Sequence, residues 1–389
     1  MPPSRARRIL LIAGEVSGDL HGAELARALR AAAPDVTLEG VGGRRMAAAG
    51  VSLIEDSSEW GIMGWIDAAR HLRQFARRLD RICARVAADP PDVLVPIDFS
   101  GFNLALLRRV RGRGPAVYYV PPMVSVRRGR RAERIAALGV KLLPIFPFEA
   151  DAYRAAGADA VFVGHPAVEL ARDVEAEDQV RARLGIARGA PVLGLLPGSR
   201  AMELDYLLDS MLEAARAVRA GIPDLVVTLA LASPIFRGRV ESAVAASGLP
   251  VVIVEGAHEV MRASTVLLLA SGTATVEAMV LGVPMVVTYR GAWLNWWIAH
   301  LAVKTRWAAI PNILAGAEVV PELLQSASRP ARLAGAVAGL LRDPGARAAM
   351  EARLRDLAAR LGPPGAAARA AAEVLAAIGA ALKPRSAIQ

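Results

Sequence analysis

The chain has 389 residues, 54% of them hydrophobic, and a mean hydropathy of +0.35. That excludes a disordered chain, and the length exceeds one typical core, so two domains are expected. The net charge of +10 and the pI of about 10.6 admit nucleic acid, anionic lipid and phosphorylated substrates as partners, although genome composition, signalled by the abundance of Arg and Ala, is an alternative source of the excess.

The start, Met1 to Gly14, has a basic head and a short apolar run. It meets Gly14, Glu15 and Asp19 without a small-residue cleavage site, so a first β-strand is expected rather than a secretion signal. Strands follow at Val36 to Val41, Val51 to Ile54, Asp92 to Ile97, Ala116 to Val120, Lys141 to Ile145 and Ala160 to Val163. Helical patterns fall between several of them, notably Asp19 to Ala32, Ile66 to Val86 and Asn103 to Arg113. Continuous Val/Ile/Leu runs alternating with helices predict a parallel sheet covered on both faces.

The acidic stretch His165 to Gln179, with Pro166 and no apolar period, reads as the connection between domains. Strands resume at Val192 to Leu196, Leu225 to Ala230, Val251 to Val254, Val266 to Leu269 and Pro284 to Thr288. Helices are expected at Glu203 to Arg219, Ile235 to Ser247, Thr275 to Leu281 and Leu294 to Val303, and throughout the chain after Pro321. The domains are therefore set at 1–165 and 180–365, with a terminal helix and tail at 366–389. Ligands of such sheets lie at the carboxyl ends of strands, where strand order reverses.

No apolar run reaches the ~20 residues needed to span a bilayer. The single cysteine, Cys83, excludes an internal disulfide framework and a Cys-rich metal site, and fits a reducing cytosol. The five histidines show no metal-ligand spacing, so no metal and no cofactor are expected. There is no Walker A sequence, and no nucleophile elbow of the G-x-S-x-G kind. The Arg-dense stretch Arg108 to Arg134 lacks the motifs and stacking aromatics of nucleic-acid binding.

Chemistry is expected at four places. Gly14-Glu15-Val16-Ser17-Gly18-Asp19 opens a helix after the first strand; small residues there would let backbone N–H groups approach a ligand. An ordinary turn capped by Ser17 or Asp19 is the alternative. The spacing to Gly22 is wrong for a dinucleotide fingerprint. Asp98, at the end of an apolar strand, is placed to act as a general base or as a helix cap. Pro197-Gly198-Ser199-Arg200 precedes a helix and suits a diphosphate. In the turn Ser271-Gly272-Thr273-Ala274-Thr275, two threonines offer hydroxyls, and Glu277 can accept hydrogen bonds from ribose. Two segments, Ile62 to Cys83 and Trp293 to Trp307, mix aromatics with basic residues. Each suits a headgroup interface or a core helix with a solvated basic face.

The strings AGEVSGDLHGAELARAL, PDVLVPIDFSGFN, FPFEADAYRAAG, FVGHP, LLPGSRAMEL, LLASGTATVEAMVLGVPMVVTYR and IPNILAGAEVVPELLQ occur in this order between Ile9 and Gln325. Together they resemble the lipid-A-disaccharide synthases. The resemblance implies an α/β, GT-B architecture, two Rossmann-like doubly wound parallel-sheet domains facing a cleft. It implies an inverting, metal-independent transfer from UDP-2,3-diacylglucosamine to 2,3-diacylglucosamine 1-phosphate, with a β-1,6 link formed and UDP released. The implied partners are a UDP-sugar donor, a phosphorylated glycolipid acceptor and the cytoplasmic face of a membrane. Asp98 matches the family's proposed catalytic aspartate, and Glu15 and Ser17 match its first-domain loop. Arg200, Ser271, Thr273, Glu277, Asn312 and Glu318 match the donor side.

Two stretches depart from the family. It usually continues the aspartate strand with Ala-Pro-Asp-Phe-Asn; here Phe99-Ser100-Gly101-Phe102-Asn103 lacks the second acid. Its two tryptophans further on are replaced by Ser125 and Arg127. Both changes fall in the half expected to bind the acceptor. A transferase with a different lipid or sugar acceptor, a UDP-sugar epimerase and a non-catalytic UDP-sugar or lipid-binding relative are the alternatives.

Overall fold

The computed structural model describes residues 7–57, 60, 68–125, 130–170, 175–291, 305 and 307–381. The chain forms two compact units, one of Met1–Pro166 with Pro363–Gln389, the other Ala167–Gly362.

The first unit runs β1 (Arg8–Ala13), α1 (Val16–Ala32), β2 (Thr37–Gly42), α2 (Arg44–Ala48), β3 (Ser52–Asp56), α3 (Ala68–Ala88), β4 (Val93–Ile97), α4 (Ser100–Arg109), β5 (Val117–Tyr119), α5 (Arg131–Ala136), β6 (Lys141–Leu143) and α6 (Pro147–Ala155). All pairings are parallel, in the order β3-β2-β1-β4-β5-β6. The central strands are buried along their length, as continuous apolar runs require. From β1 the chain builds outward one way, and from β4 the other way. The order therefore reverses between β1 and β4, and the turns after both strands meet there.

The expected strand Ala160 to Val163 is reduced to a bridge between Leu142 and Ala160. Val161 and Val163 donate to the carbonyls of Leu142 and Pro144, but Pro144 has no N–H with which to continue the ladder.

The second unit runs α7 (Ala167–Leu170), α8 (Glu177–Arg183), β7 (Val192–Leu196), α9 (Ala201–Gly221), β8 (Val226–Ala230), α10 (Arg237–Ser247), β9 (Val251–Val254), α11 (Ala257–Ala263), β10 (Val266–Ala270), α12 (Thr273–Leu281), β11 (Met285–Tyr289), α13 (Ile310–Ala315), β12 (Glu322–Leu324), α14 (Pro330–Arg342) and α15 (Pro344–Ala359). Its parallel order is β12-β11-β10-β7-β8-β9, reversing between β10 and β7. Helix was expected from Pro321 onward. The segment instead opens with β12, a three-residue edge strand on β11, too short to show an alternating period. The helix expected at Leu294 to Val303 lies outside the described residues.

The last helix, α16 (Ala366–Ala381), returns to the first unit and packs along α1. Its buried face is small, with Ala367, Ala370 and Ala371 leading to Val374 and Ile378, which lets the helices approach closely. Lys141 Nζ bonds Glu373 at 2.6 Å, and Arg369 Nε bonds the Val163 carbonyl at 2.8 Å. The residues set apart as a terminal helix and tail thus include a layer of the first unit.

The glycines after β1 serve packing. A Cβ on Gly14 would stand 2.2 Å from the ring of Phe99, and one on Gly18 3.2 Å from Ala13 Cβ. An aromatic ring fills the space on the Cβ side of Gly14. Asp19 does not cap α1, whose N-cap position is Glu15. Its carboxylate accepts from the amides of Gly43, Arg45 and Met46 and so closes the start of α2. Gly14→Ala is expected to lower stability by about 1–3 kcal/mol through overpacking. In a Phe99→Ala background it should cost less than about 0.5 kcal/mol, as at a site without a neighbour. Denaturant unfolding of the four variants of this cycle measures the difference, and equal losses in both backgrounds would place the ring elsewhere.

Candidate active site

In the first unit the strand-order reversal brings Ser17 and Asp98 together. Ser17 Oγ, in the first turn of α1, donates to Asp98 Oδ2 at 2.8 Å. Asp98 and Phe99 both adopt left-handed backbone, with φ of 49° and 43°, and Val120, one residue past β5, has φ of 54°. Each such residue costs on the order of 1–3 kcal/mol. The cost is met by dedicated hydrogen bonds. Asn103, fully buried, donates Nδ2 to the carbonyls of Asp98 and Ile97 at 2.8 and 3.2 Å. Tyr118 donates its hydroxyl to the Asp98 carbonyl at 2.8 Å, and the Asp98 amide donates to the Tyr119 carbonyl at 3.1 Å. Burial, reinforced by the nearby charge of Asp98, pushes the Tyr118 phenol well up, so it remains a donor. The Phe99 ring stacks on Phe102, with centroids 5.6 Å apart. The result is a half-buried carboxylate at the carboxyl end of β4, aimed by backbone that no strand or helix would adopt. Glu15 stands at the N-cap position of α1, two residues before Ser17, and is also half-buried. Asn103 and Tyr118 were not expected to act here; their signal is only that a polar residue falls on each buried element.

The altered stretch after β5 is held by α6. Glu149, 2% exposed, accepts from the amides of Val124 and Ser125 at 2.7 and 3.1 Å and from the Ser125 hydroxyl. Burial pushes its carboxyl up against those three bonds. Tyr153 donates to the Pro122 carbonyl at 2.6 Å. Ser125 is thus tied to the fold, and Arg127 lies outside the described residues. A Cβ on Gly101 would meet open space. His165 belongs to the core: burial pushes it down to about 3, and its ring lies 4.9 Å from that of Phe146.

In the second unit the reversal between β10 and β7 places both predicted turns side by side in the sheet order. After β7, Glu203 Oε2 accepts from the amides of Ser199 and Arg200 at 2.8 and 3.2 Å. Gly198 is required there, with φ of 116° and only 2.2 Å from a Cβ to that carboxylate. The amides expected to receive a diphosphate are therefore occupied by a side chain of the same helix. The Arg200 side chain, 69% exposed and 3.5 Å from Glu203 Oε1, carries the cation outward.

After β10 the hydroxyls divide. Thr275 is fully buried and donates to the Gly272 carbonyl at 2.7 Å, while Ser271 donates to the Ala308 carbonyl at 2.9 Å. Gly272 and Thr273 are exposed. Glu277 is 16% exposed, its Oε2 3.2 Å from Nε2 of His258 on α11.

Asn312 does not line an open surface. It is fully buried, donating to the Val320 carbonyl and to Glu322 at 2.8 and 2.7 Å and accepting from the amides of Val319 and Val320. Glu322, which the motif contained but to which no role was given, also accepts from the amides of Ala308 and Ala309. Ser271, Ala308, Glu322 and Asn312 form one frame, with Glu318 exposed beside it.

Among the described residues no group of three or more His, Cys, Asp and Glu is placed to hold a metal ion, and no helix is long and apolar enough to cross a membrane. The segment Trp293 to Trp307 lies outside the described residues except for Thr305 and Trp307. From Arg73 onward, α3 turns Leu79, Ile82 and Val86 inward, with Phe75 against Phe102, and Arg73, Arg77, Arg81 and Arg85 outward.

The profile of the Lipid-A-disaccharide synthetase family matches residues 9–371. The lipid-A-disaccharide synthase of Myxococcus xanthus is 41% identical over 95% of this chain and 97% of its own. That of Geobacter sulfurreducens is 35% identical over 97% and 99%. Among solved structures, UDP-GlcNAc 2-epimerase from Neisseria meningitidis bound to UDP-GlcNAc has a TM-score of 0.64 at 12% identity, covering 95% of this chain and 100% of its own. The calicheamicin glycosyltransferase has a TM-score of 0.62 at 19% identity, covering 97% and 99%. The structures share the GT-B fold of paired Rossmann-like domains, and the sequences carry the relationship further: this chain belongs to the lipid-A-disaccharide synthase family.

Proposed function

We propose that this glycosyltransferase of lipid A biosynthesis moves 2,3-diacylglucosamine from its UDP carrier to the 6-hydroxyl of 2,3-diacylglucosamine 1-phosphate, with inversion and release of UDP. The observation that carries the mechanism is the Ser17–Asp98 pair on strained, multiply anchored backbone. A carboxylate fixed in this way can take the proton of the acceptor hydroxyl as that oxygen attacks the anomeric carbon. The C–O bond to UDP breaks, and its electron pair leaves with the diphosphate. In the second unit Arg200 and the start of α12, at Gly272 and Thr273, supply positive charge to the leaving group, so no metal is needed. Glu277 takes the ribose hydroxyls. Asn312, Ser271, Thr275 and Glu203 act by shaping the turns.

The acceptor is where this chain differs from its family. Gly101 leaves space without charge, and the Ser125 hydroxyl joins Glu149 where the family has an aromatic ring. Both favour a change in acceptor preference rather than in donor affinity. Membrane contact is proposed through the outward arginines of α3, which suit anionic headgroups.

Asp98→Asn keeps shape and removes the base, so turnover should fall at least ~100-fold while UDP affinity hardly moves. Arg200→Ala should weaken UDP binding by about 1–3 kcal/mol, the range for a charged hydrogen bond. Turnover with a panel of acyl-glucosamine phosphates, run with and without EDTA, and calorimetry with UDP measure both. Full activity in Asp98→Asn would remove the mechanism; activity lost to EDTA and restored by Mg²⁺ would remove its metal independence.

On vesicles, the chain should co-sediment with anionic lipid and be released as salt rises, because surface attraction is screened. Equal recovery with neutral and anionic vesicles would contradict the membrane contact.

A further inference from the structure

Glu277 lies one turn into α12, and its carboxylate meets a side chain from a different helix. His258 Nε2 stands 3.2 Å from Glu277 Oε2, with the histidine 35% and the glutamate 16% exposed. α11 and α12 pack against one another on either side of β10 in the chain. An unattached glutamate loses side-chain freedom when a ligand captures it. Here a short, two-torsion side chain stands beside one oxygen in advance, 3.2 Å away. A carboxylate has a second oxygen, here Oε1, with which to accept from a vicinal diol.

We propose that His258 is a positioning residue of the donor site, holding Glu277 in the pose that accepts both ribose hydroxyls and thereby setting how strongly the chain prefers a ribonucleoside diphosphate over its 2′-deoxy counterpart. The inference rests on Glu277 taking the ribose. Loss of His258 leaves the carboxylate charged and present but free to rotate. The hydrogen bond to the 2′-hydroxyl is then offset by ordering, and the preference shrinks. A residue that only supported α11 would weaken UDP and its 2′-deoxy form alike, leaving their ratio unchanged.

The test is calorimetry of the full chain with UDP and 2′-deoxy-UDP, for wild type, His258→Ala, His258→Gln, Glu277→Gln and the His258→Ala/Glu277→Gln double variant. Wild type should prefer UDP by roughly 10-fold or more, as a hydrogen bond to a charged group allows. His258→Ala should narrow that ratio to about 3-fold or less, the remainder expected of a carboxylate that must be ordered on binding. His258→Gln, which keeps an N–H donor, should retain most of the preference. Adding His258→Ala to Glu277→Gln should change nothing further. If Glu277→Gln abolishes the preference and His258→Ala leaves it intact, the positioning role is overturned while the ribose reading stands. If Glu277→Gln leaves the preference intact, the ribose reading falls and this inference with it.

Discussion

The reversal of strand order inside each sheet governs everything that follows. In a parallel sheet each strand is followed by a turn at the same edge, and neighbouring crossovers normally cover one another's turns. Where the chain builds outward in opposite directions from two adjacent strands, the two turns are left facing an uncovered gap. In the first unit these strands are β1 and β4, and in the second β7 and β10. Ser17 and Asp98 follow one pair, and Arg200 and the Gly272–Thr273 turn the other. Residues 81 apart in sequence thus come within hydrogen-bond distance without any local signal to announce it.

A second constraint sorts the residues at those gaps. Buried backbone donors and acceptors must be paired, and turns between a strand and a helix leave several unpaired. Short polar side chains nearby are drawn in to close them. Asp19 closes α2, Glu203 the turn before α9, Thr275 the turn before α12, and Glu322 the start of α13. A polar residue in a conserved-looking string is therefore as apt to be holding the turn as to be touching a ligand. The distinction lies in what remains exposed. Asp98, Arg200, Thr273 and Glu318 reach the surface; Asn312 and Thr275 do not. His258 and Glu277 fall between the two, partly exposed and 3.2 Å apart.

These constraints explain what could be read from the chain before its structure. Apolar runs such as Val93 to Ile97 and Val266 to Ala270 announce buried parallel strands because nothing else places five such residues between helices. The turns after them were likewise legible as strand-to-helix turns, since small and polar residues follow each apolar run. Two elements at sheet edges were not. β12 has three residues, and Ala160 to Val163 looks like a strand until Pro144 on its neighbour interrupts the ladder. Nor could burial be inferred for individual polar side chains. Asn312 and Thr275 sit in strings rich in small residues, and only the positions of Val319, Glu322 and Gly272 show that their bonds are already made. The glycine at Gly14 was legible as a close approach but not as an approach of Phe99, whose left-handed backbone turns its ring toward β1.

That ring links the strain at Asp98 to the packing around it. Left-handed backbone at two consecutive non-glycine residues is unfavourable on its own, so its cost must be offset nearby. Asn103 and Tyr118 hold the carbonyl of Asp98, and stacking on Phe102 holds the side chain of Phe99. Gly14 makes room for it, at the price of backbone freedom in the unfolded chain. None of these groups need touch a substrate, yet together they hold the backbone from which the carboxylate meets Ser17. The altered stretch after β5 uses the same device with different residues, a buried Glu149 fixing Val124 and Ser125. Because the Asp98 anchors lie on α4 and β5 and the Glu149 clamp lies on α6, a substitution at Ser125 acts through a different clamp from the one that holds Asp98, whereas Gly101 shares α4 with the anchor Asn103.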